Sequence, residues 1–307
     1  MTQRKLLIVA PDVFSILNSV VSFFESRGFD VVFLDDRNSQ GFIRNVILRF
    51  LRSFYFALFS REIDSRIEKI ADDFDKIVII NGEGYDIHHL LEILKKGEQV
   101  SFYTWDSVNN KKYLKHFFEV LGDKMHFIGT FDKIDSEKFN ICYKPLFSAK
   151  IDKPASSTRY QYSFIGTMHS ERLKFIYDFL RDGKQDSTQV YVALYCKNIA
   201  TYLFHMMMNL GYLRAYVSLV KIGFLPLSDF EKIMSASEIV LDYSHPKQAG
   251  LTHRCVTALR NGKKVLTNNP NLANSKTVDL NGREYFLITP TETEKAEFSI
   301  ENWASKF

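Results

Sequence analysis

The stretch EIVLDYSHPKQAGLTHRCVTALRNGKKVLTNN, residues 238–269, decides the fold. It opens on EIVLDYS, the apolar run of a parallel strand buried on both faces. A loop, 245–252, follows with a lone glycine, Gly250. LTHRCVTALRNG then has helical spacing, and KKVLTNN is a second short strand. Strand, loop, helix and strand in that order is the unit of a doubly wound α/β domain. Such a loop sits at the carboxyl edge of the sheet, where open α/β sheets bind ligands. Gly250 lets the backbone approach closely. Thr252 is placed to cap the helix, whose free N–H groups and positive dipole end favour an anion. Arg254 falls in the first turn, where its planar guanidinium can grip a phosphate at two points. A solvated basic helix with an ordinary cap fits the arginine alone equally well.

The alternation extends both ways. KLLIVAP (5–11), FDVVFLDD, DKIVIING, EQVSFYTW and KMHFIGTF read as strands, with helical runs between them. Gly28 and Gly97 stand where helix C-terminal glycines belong. Polar residues with Pro145 and Pro154 then interrupt the pattern, and YQYSFIGT restarts it. The spacing predicts three parts: an α/β domain over 1–150, a second over 151–290, and a C-terminal helix over 291–307 that packs back on the first. A length of 307 residues suits two such domains.

A net charge of only +4 leaves no bulk signal for nucleic acid, so any anion site is local. Cys142, Cys196 and Cys255 are far apart and odd in number, which favours a reducing compartment over disulfides or zinc. No apolar run is long enough to span a bilayer, and the first residues run straight into a strand. The expected address is the cytoplasm.

Three further groups carry candidate chemistry. In YTWDSVNN, Trp105 is placed to stack on a sugar face and Asp106 to act as a base on a hydroxyl, with Ser107 beside it. Capping of the next helix by Asp106 or Ser107, with Trp105 in the core, fits as well. In NGEGY (81–85), Glu83 is a second base candidate or part of a tight turn. In TFDKID, Asp135 reads as a helix cap. His88 and His89 read as surface or packing residues, and LDDRN shows paired aspartates with no evident partner.

Residues 226–269, with YTWDSVNN, TFDKID, KPLF and YSFIGTMHSER, resemble bacterial glycosyltransferases of the GT-B type, two Rossmann-like domains facing across a cleft. The resemblance is closest to the group acting in capsule, exopolysaccharide and lipopolysaccharide synthesis. It is best over roughly 100–270, with DDRNSQGF matching earlier. It implies that the second domain binds a nucleotide-diphosphate sugar and the first an acceptor, with no cofactor or bound metal because a helix dipole and basic side chains neutralise the leaving diphosphate. Gly250, Leu251, Thr252 and Arg254 would form the diphosphate turn, and Gly166, Thr167 and His169 a second donor-facing loop. Where many members carry a glutamate for the donor ribose, this chain has Thr257, a weaker partner for a hydroxyl.

Two segments have membrane character. FIRNVILRFLRSFYFALFSR (42–61) interleaves four arginines with apolar residues and has no acid, as an interfacial helix does. TYLFHMMMNLGYLRAYVSLVKIGF (201–224) reads as helices covering a sheet. The expectation is a glycosyltransferase peripheral on the inner face of the cell membrane, taking a nucleotide-diphosphate sugar and a lipid-linked or oligosaccharide acceptor, and no nucleic acid. A non-catalytic subunit of a glycan assembly complex on the same fold, or a transferase of another phosphate-linked group, remains open.

Overall fold

A computed structural model describes residues 4–11, 14–37, 42–70, 73–152, 154–169, 171–182, 187–245, 248–270, 275–280 and 282–307. The chain forms two compact units, residues 1–145 with 300–307, and residues 146–299.

The first unit contains β1 (Arg4–Ala10), α1 (Phe14–Ser26), β2 (Phe29–Asp35), α2 (Phe42–Phe50), α3 (Arg52–Glu68), β3 (Phe74–Ile80), α4 (Ile87–Leu94), β4 (Gly97–Thr104), α5 (Tyr113–Leu121), β5 (Phe127–Thr130), α6 (Lys133–Phe139) and β6 (Cys142–Tyr143). Its sheet runs β2-β1-β3-β4-β5-β6 with every neighbouring pair parallel. The apolar run of β1 explains its central place, because Leu6 through Ala10 are fully buried under helices on both faces. The strand order reverses between β1 and β3, so ligand chemistry is expected at the carboxyl ends nearby.

The second unit contains β7 (Tyr160–Thr167), α7 (Arg172–Asp182), β8 (Val190–Cys196), α8 (Ile199–Met208), α9 (Leu213–Leu219), β9 (Val220–Ile222), α10 (Leu227–Ser235), β10 (Ser237–Asp242), α11 (His253–Arg260), β11 (Lys264–Thr267), β12 (Ser275–Asp279), β13 (Glu284–Ile288) and α12 (Glu292–Glu297). Its sheet runs β12-β13-β11-β10-β7-β8-β9. Strands β11, β10, β7, β8 and β9 are parallel, and the β12–β13 pair is antiparallel against β11. Here the order reverses at β7, between β8 and β10. The last helix, α13 (Ile300–Ala304), belongs to the first unit, where Trp303 packs on Tyr103 and Phe307.

Several local readings change. Residues 42–61 are not one helix: the chain breaks at Leu51, whose φ of −132° and ψ of 52° are not helical. Beyond the break Arg52 turns inward to donate to the carbonyls of Glu83 and Tyr85. The region 198–222 divides into α8, a 3-10 turn, α9 and an edge strand. The tail is two short helices, not one. Strand β12, polar and half-exposed, shows no apolar alternation that would mark it.

Candidate functional site

In the second unit, β10 delivers Asp242 to the carboxyl edge, next to the end of β7. Asp242 is almost fully buried and gathers four donors. Its Oδ1 accepts from the Thr252 hydroxyl at 2.5 Å and Arg254 Nη1 at 3.1 Å. Its Oδ2 accepts from the Ser244 and Thr267 hydroxyls, each at 3.3 Å. Thr252 caps α11 by accepting the Cys255 N–H at 3.2 Å. Arg254 also donates Nε to the Ile165 carbonyl at 2.8 Å and lies 4.0 Å over the Phe164 ring. The helix start is thus fixed by a carboxylate, a backbone carbonyl and an aromatic face.

A second guanidinium stands beside the first. Arg172, at the start of α7, donates Nη1 to the Thr167 carbonyl at 2.8 Å and its hydroxyl at 3.1 Å. Its buried Nε has no hydrogen-bond partner among the described residues. A Cβ on Gly166 would lie 2.7 Å from Arg254 Nη2 and 3.3 Å from Arg172 Nη1, so glycine is what lets both cations close on the end of β7. Asp242 pairs with Arg254 and acts on Arg172 only through its field. Burial, and then repulsion from Arg254, push the Arg172 pKa down to about 9. The same causes in the same order push His253 down to about 4, and burial followed by Arg172 and Arg254 lowers His169. Burial is the larger cause of both neutral imidazoles, and the neighbouring guanidiniums add a positive field that a bound anion would relieve.

In the first unit, three carboxylates meet at the carboxyl edge. Asp36 follows β2, Glu83 follows β3, and Asp106 follows β4. Asn81 and Gly82 adopt left-handed φ values of 63° and 61°, which turns the chain sharply after β3. A Cβ on Gly84 would lie 1.4 Å from the Asp36 carbonyl oxygen, so the 81–85 turn and the 36–37 backbone pack in direct contact. The Glu83 carboxylate pairs with Arg37 at 2.7 Å and with Lys111. Burial alone would raise its pKa; Arg37, then Lys111, outweigh burial and hold it below the ordinary range. Asp36 is fully buried, accepts the Glu83 N–H at 2.8 Å through Oδ2, and has no partner for Oδ1 among the described residues. Burial raises its pKa to about 7 against the opposing charge of Arg37. Asp106 accepts from the Asn81 amide at 3.2 Å and the Asn110 amide at 3.1 Å, and burial raises it too. The hydroxyls of Tyr85 and Tyr113 and Nε of Arg37 are further buried polar atoms without partners.

No protein-family model and no curated protein matches this chain. Among solved structures, an alpha-glucosyltransferase in complex with UDP and a 13-mer DNA containing a central A:G mismatch matches with a TM-score of 0.53. Identity is 13%, over 86% of this chain and 79% of that chain. The chain has the GT-B fold. Two GT-B structures with weaker overlap are a TarM mutant from S. aureus (TM-score 0.45, 12% identity, 66% of this chain and 43% of that one) and MurG from Acinetobacter baumannii (0.38, 10%, 80% and 72%). Neither adds to the fold assignment at those scores.

On this GT-B frame, Gly166, Thr167 and Arg254 come together around the Arg172 guanidinium, Thr252 joins Arg254 through Asp242, and His169 lies within the field of the two arginines. Gly250 is buried and Leu251 half-buried in the turn before α11. Thr257 is buried and donates its hydroxyl hydrogen to the His253 carbonyl at 2.8 Å, inside its own helix. Trp105 is half-buried, with its backbone N–H given to the Asn81 side chain at 3.0 Å. Ser107 is buried and its carbonyl accepts from Asn110 and Lys111. Neither Asp106 nor Ser107 caps α5, whose N-cap is Lys112 with no side-chain bond. Asp132, not Asp135, caps α6, while Asp135 accepts the Val108 N–H at 2.7 Å. His89 is buried in a capping box with Asp86 and packs against Phe56 and Tyr85, the packing alternative of its reading.

Asp36 and Arg172 are the functional candidates that sequence reasoning missed. The double aspartate at the end of β2 was a signal for the first. An arginine three residues past His169 was a signal for the second. In the DDRNSQGF match, residues 38–41 lie outside the described residues, as do Pro246 and Lys247 of the loop before α11. Among the described residues, no group of three or more His, Cys, Asp or Glu could hold a metal ion. No helix among them is long and apolar enough to cross a membrane.

Proposed function

We propose that the chain is a glycosyltransferase that moves a sugar from a nucleotide-diphosphate donor to a hydroxyl of a lipid-linked or surface glycan. The observation that carries this reading is the Arg172–Arg254 pair over Gly166, two cations with one carboxylate at the strand-order reversal of a GT-B sheet. Such an arrangement suits a diphosphate, the leaving group of the reaction. The glucosyltransferase neighbour was solved with UDP, which favours a nucleoside diphosphate as the anion. The second unit would bind donor and the first acceptor. The acceptor oxygen bonds to the anomeric carbon as the bond to the diphosphate breaks and its electron pair leaves with the nucleotide. Asp106 takes the hydroxyl proton, because ion pairs with Arg37 and Lys111 make the Glu83 carboxylate a weaker base. Charge neutralisation by the two arginines and the start of α11 fills the role a metal has in other transferases. Exposed Phe50, Leu51, Phe54 and Leu58 suit contact of residues 42–61 with the inner face of the cell membrane, where a lipid-linked acceptor would lie.

A second reading has one observation in its favour. Arg254 and Thr257 already have protein partners, as in a subunit that kept the fold without turnover. A thermal-shift panel of UDP-, GDP-, CMP- and dTDP-linked sugars separates the two. One donor class should raise the melting temperature of the wild type, and Arg172→Ala should abolish that rise without loss of fold. No shift with any donor would favour the non-catalytic reading.

A further inference from the structure

Helices α8 and α9 and the loop after β9 present many exposed apolar side chains. Ile199, Phe204, Met207, Met208, Leu210 and Phe224 are each between 60% and 71% exposed. Helix α8 carries no buried residue at all. Monomeric proteins rarely leave so many large apolar side chains together in water without a partner.

The surface is firmly built. Asn198 and Thr201 form a capping box at the start of α8. The Tyr216 hydroxyl donates to the Tyr202 carbonyl at 2.6 Å, and the two rings meet at 5.0 Å beneath the exposed face. The helix pair is thus tied down from below while its outer side chains are left over.

Charge identifies the occupant. Residues 187–228 contain no Asp or Glu. Lys197 and Arg214 are exposed, and neither forms an ion pair among the described residues. A protein partner would be met by a rim of both signs and by rigid anchors. This face has cations alone around a run of three methionines, side chains that adapt to a fluid partner. Strand addition by a second copy is disfavoured by the short sheet edge, because β9 has three residues and its Lys221 and Ile222 face water.

We infer that the α8–α9 face docks on an anionic lipid bilayer, its Phe, Leu, Ile and Met side chains entering the acyl boundary and Lys197 and Arg214 meeting the headgroup phosphates. Helix α8 leaves the carboxyl end of β8, the sheet edge that also carries Gly166 and Thr167. Docking there sets the Arg172–Arg254 site close to headgroup level. The inference does not depend on the donor reading or on residues 42–61, which belong to the other unit.

Flotation of the full chain with phosphatidylcholine vesicles, alone or with 30% phosphatidylglycerol, tests it, with light scattering on the same samples. The wild type should float with the anionic vesicles and release as salt rises. Phe204→Ser/Met207→Ser/Met208→Ser should lose at least tenfold in partitioning at unchanged melting temperature. Lys197→Glu/Arg214→Glu should lose about fivefold or more per cation, on anionic vesicles only. Wild-type partitioning by the triple serine variant, with loss instead in Phe50→Ser/Phe54→Ser, would overturn the inference. So would a wild-type dimer that the serine variant converts to a monomer with no vesicle binding in either.

Discussion

Arg254 and Asp242 form an ion pair at 3.1 Å with 8% and 1% of their side chains exposed. Such a pair contributes little by its presence and a great deal by its removal, because one partner alone leaves a charge out of water. Asp242→Asn should cost about 3–5 kcal/mol in urea unfolding. Its two-guanidinium neighbourhood would then hold no carboxylate. A cost below about 1 kcal/mol would show that water or an anion already screens Arg254.

Asp106 and Glu83 should separate by readout. Asp106→Asn should lower turnover by about 10²–10⁴ with little change in donor affinity, as for loss of a general base. Glu83→Gln should chiefly lower stability, since Arg37 and Lys111 lose their shared carboxylate. Single-turnover rates and melting curves on the two variants give the comparison. Equal turnover in Asp106→Asn and wild type would remove the base assignment.

Asp36 gives a pH signature. Its folded pKa of about 7 lies above the ordinary value of 3.8, so the folded protein holds that proton more tightly than the unfolded chain does. Its contribution is therefore full below about pH 4 and is lost as pH rises toward 7. Asp36→Asn keeps an oxygen for the Glu83 N–H and cannot ionise. Relative to wild type, it should gain on the order of 2–4 kcal/mol between pH 4 and pH 8, and nothing below pH 4. Denaturant titrations at four pH values test the slope.

Two glycines should respond oppositely to alanine. At Gly84 the new methyl would sit inside the Asp36 carbonyl, so the 81–85 turn must move; a loss of more than about 3 kcal/mol is expected. Gly122 has nothing within 4 Å and a helical φ of −49°, so alanine there should stabilise by about 0.4–1 kcal/mol. Chemical unfolding of both variants checks the pair.

The strands were legible wherever apolar runs are continuous, as in β1, β3 and β10, because burial on both faces leaves no other use for such a run. Strand β12 was not, since its partner β13 shields it on one side only and its residues are polar. The Thr252 cap was legible because capping is local in sequence. The crowding of Gly166 by Arg172 and Arg254 was not, because it depends on strands roughly 80 residues apart becoming neighbours. The break at Leu51 was also hidden. Apolar periodicity runs through it, and only the carbonyls of Glu83 and Tyr85 explain why Arg52 turns away from solvent. The same residue type can thus read as a membrane-facing arginine in sequence and serve as an internal clamp in the fold.

The first unit is closed by α13, with Trp303 and Phe307 against Tyr103 and with Lys76 bonded to the Phe307 carbonyl. On the ribosome those residues emerge about 150 residues after Pro145, which at ordinary elongation speeds is a delay of roughly 8–30 s. Through that interval the nascent first unit carries an uncovered aromatic socket around Tyr103, and it is the stage of biosynthesis at which chaperone capture would be most effective.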